Sequence, residues 1–364
     1  MAVTPAPVAD SRQWESFCDR GSQAFQYGRL ELAEEYYWEA VKMAKTFGEF
    51  DPRLATSLNN LAVVLRSRGR VRQVEDLYNL ALRIWKVVDS GHECMAMSLN
   101  NAAGFHQRIG SYAEARQLYK RALEIYEERE QPEDYLLAAC LSNLARLYTQ
   151  FDKLQQAETL YKRARRIAES ILGRDHHNVA LVLSGMGALY IQLKKYSRAE
   201  TLLVRALECL QRTQGPQHPD VATCLVHMGD LYLCQSRKAG ELAMGPSLKR
   251  QSVEPLYQAA LSIRERRLGS SHPDCAEVFR KIAVVLNSQG KPEKAEQLLR
   301  RSLQIYLDAY GPYHIEVASC LEDCANLMRQ QRRFDEVKKL EERASKLRLR
   351  QQELARTKIT VFDD

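Results

Sequence analysis

Two clusters in this 364-residue chain carry side chains that metal or acid–base chemistry would use. His314-Ile315-Glu316 followed by Cys320 and Cys324 sets a histidine, a glutamate and two thiols in the order of a site where zinc activates water and a carboxylate moves protons. That chemistry needs a proline ahead of the first cysteine and cysteines three apart, so that both thiolates reach one ion. Here Ser319 takes the proline's place and the cysteines are four apart. Cys224, His227 and Cys234 are zinc-type donors, but 224 and 234 lie far apart on one helical stretch. The sequence also lacks a Gly-rich phosphate loop, a His-Glu-x-x-His and a nucleophile elbow. No enzyme, catalytic residue, metal or cofactor is therefore expected.

The elements carrying these residues are copies of one module. Its anchors are Ala33, Val74, Ala115, Ala157, Ala199, Val253, Ala295 and Val337, with steps of 41, 41, 42, 42, 54, 42 and 42 residues. Each copy holds two apolar stripes of helical period, such as Leu58, Leu61, Ala62, Leu65 and then Val74, Leu77, Tyr78, Ala81. The small residues Gly21, Ala62, Ala103, Ala145, Gly187, Gly229, Ala283 and Ala325 mark the close approach of the first helix to the second. Opposite them Tyr37, Tyr78, Tyr119, Tyr161, Leu203, Tyr257 and Leu299 fill the volume, an alternation of large and small that gives dense packing. His176, His218, His272 and His314 then fall in turns. In His272-Pro273-Asp274 the proline ends the preceding helix, and Asp274 with Glu277 has the spacing of a capping box.

This pattern of Leu-Gly, Tyr, Ala and Ala in register resembles the tetratricopeptide repeat. The 42-residue spacing, His218-Pro219-Asp220-Val221-Ala222 and Leu58-Asn59-Asn60-Leu61-Ala62 make it similar to kinesin light chain-type repeats over roughly residues 12–346. The expected fold is all-α, a right-handed superhelical solenoid of about eight helix-turn-helix repeats. A flexible N-terminus (1–11), the solenoid (12–346), and a C-terminal capping-helix end and tail (347–364) make up the expected chain. No heptad-rich segment precedes Trp14, so a motor subunit is not the expectation.

Composition agrees. Glycine and proline are few, and no alternating β-branched runs or twenty-residue apolar stretch occur. Nine scattered cysteines, an odd number, indicate reduced thiols and a cytoplasmic location. The net charge of +7 is moderate and partly concentrated in an insertion and the C-terminal helix, neither of them a convincing nucleic-acid surface.

The resemblance implies that the first helices line a concave groove for an extended peptide. By position within the repeat, Asn59, Asn60, Asn100, Asn101, Arg108, Asn143 and Arg146 face it in repeats two to four, with Arg280 and Lys281 in repeat seven. Asparagine offers a donor and an acceptor to a peptide unit. Each such bond is worth only about 0.5–1.5 kcal/mol net, so the arginines must supply selectivity. The reading is a non-catalytic adaptor or scaffold for an acidic segment of a protein partner, monomeric or part of a larger complex. Membrane insertion and nucleic acid are not expected. The alternative is an assembly factor that meets a large protein or RNA through its convex face, insertion loop or basic C-terminal helix.

The long 54-residue step contains about twelve extra residues, read as a loop over 236–251. Lys249-Arg250-Gln251-Ser252 has the form of a basophilic kinase acceptor, and a phosphate on Ser252 would meet the positive end of the following helix. Intact mass after treatment with such a kinase should show one phosphate on Ser252; none there would remove this regulatory site.

Overall fold

The computed structural model describes residues 11–88, 93–128, 135–240 and 253–359, and the described residues form sixteen helices and no strand. They pair as eight hairpins. Those of repeats one to four are α1 (Ser11–Gln26) with α2 (Leu30–Lys45), α3 (Pro52–Ser67) with α4 (Val71–Val88), α5 (Glu93–Arg108) with α6 (Tyr112–Glu127), and α7 (Tyr135–Gln150) with α8 (Leu154–Leu172). Repeats five to eight follow as α9 (His177–Gln192) with α10 (Tyr196–Gln214), α11 (Pro219–Gly240) with α12 (Val253–Leu268), α13 (Pro273–Ser288) with α14 (Pro292–Tyr310), and α15 (Ile315–Gln330) with α16 (Phe334–Ile359). No described helix is long and apolar enough to cross a membrane.

One core runs through all the repeats, as a stack of units that bury their faces against neighbours requires. Its geometry comes from the predicted contact of small against large. A Cβ on Gly187 would stand 2.6 Å from Leu203, one on Gly21 2.9 Å from Tyr37, and one on Gly229 would overlap the ring of Tyr257. Tyr257 cannot withdraw freely, because its hydroxyl donates to Asp230 Oδ1 at 2.7 Å. Cysteines fill gaps beside these residues. The thiols of Cys140, Cys224 and Cys320, all fully buried, donate to the carbonyls of Tyr119, Leu203 and Leu299 in the preceding helix. Every one of the nine thiols is free, and no group of metal donors gathers among the described residues.

Two local expectations are corrected. Residues 236–240, taken as the start of a loop, continue α11, since Gln235-Ser236-Arg237-Lys238-Ala239 contains good helix formers and no breaker before Gly240. The rest of the insertion, Ser252 included, lies outside the described residues. The turn histidines, not the acidic residues after them, cap the first helices. His176, His218, His272 and His314 each accept a bond at Nδ1 from the backbone N–H two residues on, at 3.1–3.2 Å. The ring nitrogen sits on Cγ as an asparagine Oδ1 does, so a neutral imidazole serves as the N-cap acceptor. Asp274 is thereby released for another partner.

Gly229→Ala should lower stability by about 1–3 kcal/mol through overpacking against a pinned tyrosine, and Gly187→Ala by less, because the Leu203 side chain can change rotamer. Urea unfolding of both variants checks the order; equal costs would show that the hydroxyl anchor on Tyr257 is immaterial.

Candidate functional site

The first helices stand side by side along the inner wall, and polar residues one repeat apart link them. Trp14 donates to Ser57 Oγ at 2.8 Å, Asn101 to Asn59 Oδ1 at 3.2 Å, Asn143 to Asn100 Oδ1 at 3.1 Å, and Gln107 to Gln150 Oε1 at 2.7 Å. Farther along, Ser184 meets His227 Nδ1 at 2.9 Å and Arg280 donates to Asp323 at 2.7 Å. The asparagines are thus partly occupied in bracing neighbouring repeats. Asn59, 1% exposed, is taken up by Asn60 and Asn101, whereas Asn60, Asn100, Asn101 and Asn143 are half-buried on the wall.

The cations of the two ends differ in their partners. In repeat seven Arg280 is paired with Glu316 and Asp323, both at 2.7 Å, and Lys281 with Asp230 at 2.7 Å. Attraction to these carboxylates outweighs the opposing effect of burial and raises both cations above their ordinary pKa. Arg280 and Lys281 therefore brace repeats six to eight, and the expected extension of the groove through them is not supported by their surroundings. Arg146 in repeat four is exposed, and no carboxylate pairs with it among the described residues. Its weak bonds, at 3.5 Å, reach Gln107 Oε1 and Asn143 Oδ1.

Arg108 meets a partner that lies four repeats away. Its Nη1 donates to Asp274 Oδ1 at 2.6 Å and lies 3.5 Å from the Tyr310 hydroxyl. Asp274 holds the guanidinium pKa up; burial pushes the Asp274 carboxyl up, but Arg108 and the neighbouring His272 and Arg264 outweigh it and keep the carboxyl well below its ordinary value. The same seam recurs in step along the stack. The Tyr27 carbonyl accepts from Arg267 at 3.4 Å. A Cβ on Gly69, a turn glycine with φ +73°, would lie 3.4 Å from the ring of His272. His272 Nε2 faces the Arg66 carbonyl but falls short of hydrogen-bond geometry, and one repeat on His314 Nε2 donates to the Arg108 carbonyl at 2.8 Å. The superhelix therefore closes on itself after about five repeats, bringing the hairpin turns of repeats one to three against the end of repeat six and the entry turns of repeats seven and eight.

Behind this seam lies a cavity of about 310 Å³. Arg66, Gln107, Arg108, Arg146 and Gln150 form one side and Asp274, Glu277, Glu316, Tyr306 and Tyr310 the other. The acids are neutralised by their own neighbours, Glu277 by Arg264 at 2.9 Å and Glu316 by Arg280. Arg66 was not singled out from the sequence. It stands four residues after Ala62, where repeat three has Gln107, and that shared place was the available signal. Its Nη1 reaches over Gly104, where a Cβ would stand 3.2 Å away, toward the Tyr119 hydroxyl.

The description "Tetratricopeptide repeat" fits residues 16–86, 94–170, 138–211, 178–242, 254–308 and 280–350, most of the chain. The chain belongs to the tetratricopeptide repeat family. Repeats of this family are generally non-catalytic interaction modules, and the chain is accordingly a protein-interaction adaptor. Among solved structures, a Rap protein complexed with Competence and Sporulation Factor is similar at TM-score 0.61 and 12% identity, over 94% of this chain and 100% of that one. At such identity the likeness speaks for the fold alone. BtubC (BKLC) from P. vanneervenii shares 24% identity over 68% of this chain and 89% of its own, at TM-score 0.45. A putative kinesin light chain of Podosopora anserina with nearly identical TPR-like repeats shares 22% over 56% of this chain and 97% of its own, at TM-score 0.44. No curated protein matches significantly.

The seam of this tetratricopeptide repeat solenoid depends on neutral imidazoles, for Nδ1 must accept while Nε2–H donates. Burial, opposed by the bond to the Arg108 carbonyl and aided by the Arg108 charge, pushes His314 from 6.5 down to about 4. Its contribution to stability is therefore complete above pH 6.5 and lost as pH falls from 6.5 to about 4, reaching on the order of 3 kcal/mol. Urea unfolding across this range should show the decline, and His314→Asn, which keeps an acceptor but cannot titrate, should reduce it; an unchanged slope would exclude His314 as its source.

Proposed function

We propose that the adaptor holds an extended acidic segment of a partner protein along the inner wall of repeats two to four. Arg146 supports this reading most directly: it is a guanidinium exposed on the concave side with no carboxylate partner among the described residues, whereas the inner cations of repeat seven are internally paired. Arg66 adds a second cation to the same cavity. Asn60, Asn100, Asn101 and Asn143 would hold the ligand backbone through whatever donor and acceptor capacity bracing leaves over. Arg108 would contribute once it is free of Asp274.

The ligand's charge sets its selectivity, because a few neutral hydrogen bonds give only modest affinity. The protein would work in the cytoplasm, where its nine free thiols stay reduced. Chain Arg66→Ala with Arg146→Ala should weaken a fluorescein-labelled acidic peptide by more than tenfold and flatten the salt dependence of its binding, read by fluorescence anisotropy. Unchanged affinity and salt dependence would refute the acidic-segment reading while leaving the adaptor fold intact.

A further inference from the structure

We propose that the seam between repeats one to three and repeats six to eight is an autoinhibitory latch, in which Asp274 occupies the Arg108 guanidinium in place of a ligand carboxylate. The inference rests on the acidic-segment reading and adds its regulation. Arg108 lies on the inner wall next to Arg66 and Arg146, and Asp274 approaches it from across the cavity as an acidic side chain of a ligand would.

The seam differs in kind from the contacts between consecutive repeats. Consecutive repeats share a buried apolar core from Ala24 to Leu347, whereas the seam, which also brings α6 against α16, includes a small set of polar pairs. They are Arg267 on the Tyr27 carbonyl, Arg108 on Asp274 and Tyr310, and His314 on the Arg108 carbonyl, with the rings of His272 and Pro273 resting on Gly69. Arg108 and Asp274 keep 35% and 28% of their side-chain surface open to solvent. A half-buried pair left this open to water is partly screened by salt, so its hold on the seam weakens as ionic strength rises. A solenoid can flex by small rotations at each repeat interface without breaking its core, so the seam can part while every hairpin stays packed.

A closed seam that must open before binding lowers apparent affinity by the fraction of open molecules, and by linkage an acidic ligand that captures Arg108 favours the open form. Removing the Asp274 charge would release Arg108 and raise the open fraction. Removing the Arg108 charge would open the seam as well, but take away one ligand contact.

The test uses the full chain as wild type, Asp274→Asn and Arg108→Gln, with helix content checked by circular dichroism. Small-angle X-ray scattering should show a larger radius of gyration for both variants at the same salt concentration, and the exchange Arg108→Asp with Asp274→Arg should restore the compact form. A fluorescein-labelled hexaglutamate peptide should bind Asp274→Asn about tenfold more tightly than wild type, and Arg108→Gln more weakly than Asp274→Asn. Scattering that is the same in all chains, or a peptide that binds wild type and binds Asp274→Asn no more tightly, would overturn the latch. Should both variants expand and none of the chains bind the peptide, the acidic-segment reading fails and the seam remains a conformational latch. Should all bind equally with no expansion, the latch fails and the acidic-segment reading stands.

Discussion

The structure depends on a void filled from the opposite helix. Where Gly21, Gly187 and Gly229 lack a side chain, Tyr37, Leu203 and Tyr257 occupy the space, and the helices of these three hairpins approach more closely than an added Cβ would permit. Because the alternation returns about every 42 residues in all but one step, each hairpin stacks on the next in a similar way, and small rotations between neighbours accumulate into a superhelix. That rotation brings residues 166 to 240 positions apart into contact, from Arg108 with Asp274 to Tyr27 with Arg267. The seam is thus a long-range result of a local rule about side-chain size.

Closure redistributes charge on the inner wall. In repeats six to eight the inner cations Lys281 and Arg280, and the buried Arg264 behind them, each have a carboxylate partner, and the region forms a self-neutralised brace. In repeats two to four Arg146 has none among the described residues, and Arg108 has one only because the far end of the solenoid supplies it. A buried or half-buried ion pair seldom justifies itself by stability alone. Its value here lies in position, since Asp274 lies where a negative ligand group would be drawn.

Much of this was legible in the chain. The periodicity, the size alternation and the cysteine pattern are short-range properties, and they mark the helices, their pairing and the residues that fill the core. Candidate groove positions followed from their place in the repeat, yet the partners of those positions did not. Arg280 and Arg146 belong to the same class of inner-wall residue in sequence, but one has two carboxylates around it and the other has none. The turn histidines were legible as turn structure. Their role as caps was not, because an acidic residue two places later fits the usual capping pattern equally well and only the direction of the ring decides between them.

The sequence by itself determined the helical hairpin, its number of copies and its stacking, because each depends on residues within about one repeat of each other, where size and periodicity suffice. The tertiary structure alone decided that the stack closes after about five repeats, that Asp274 reaches Arg108 and that His314 donates to the Arg108 carbonyl. Those contacts depend on the sum of many small rotations between neighbours, and no local pattern of residues records that sum.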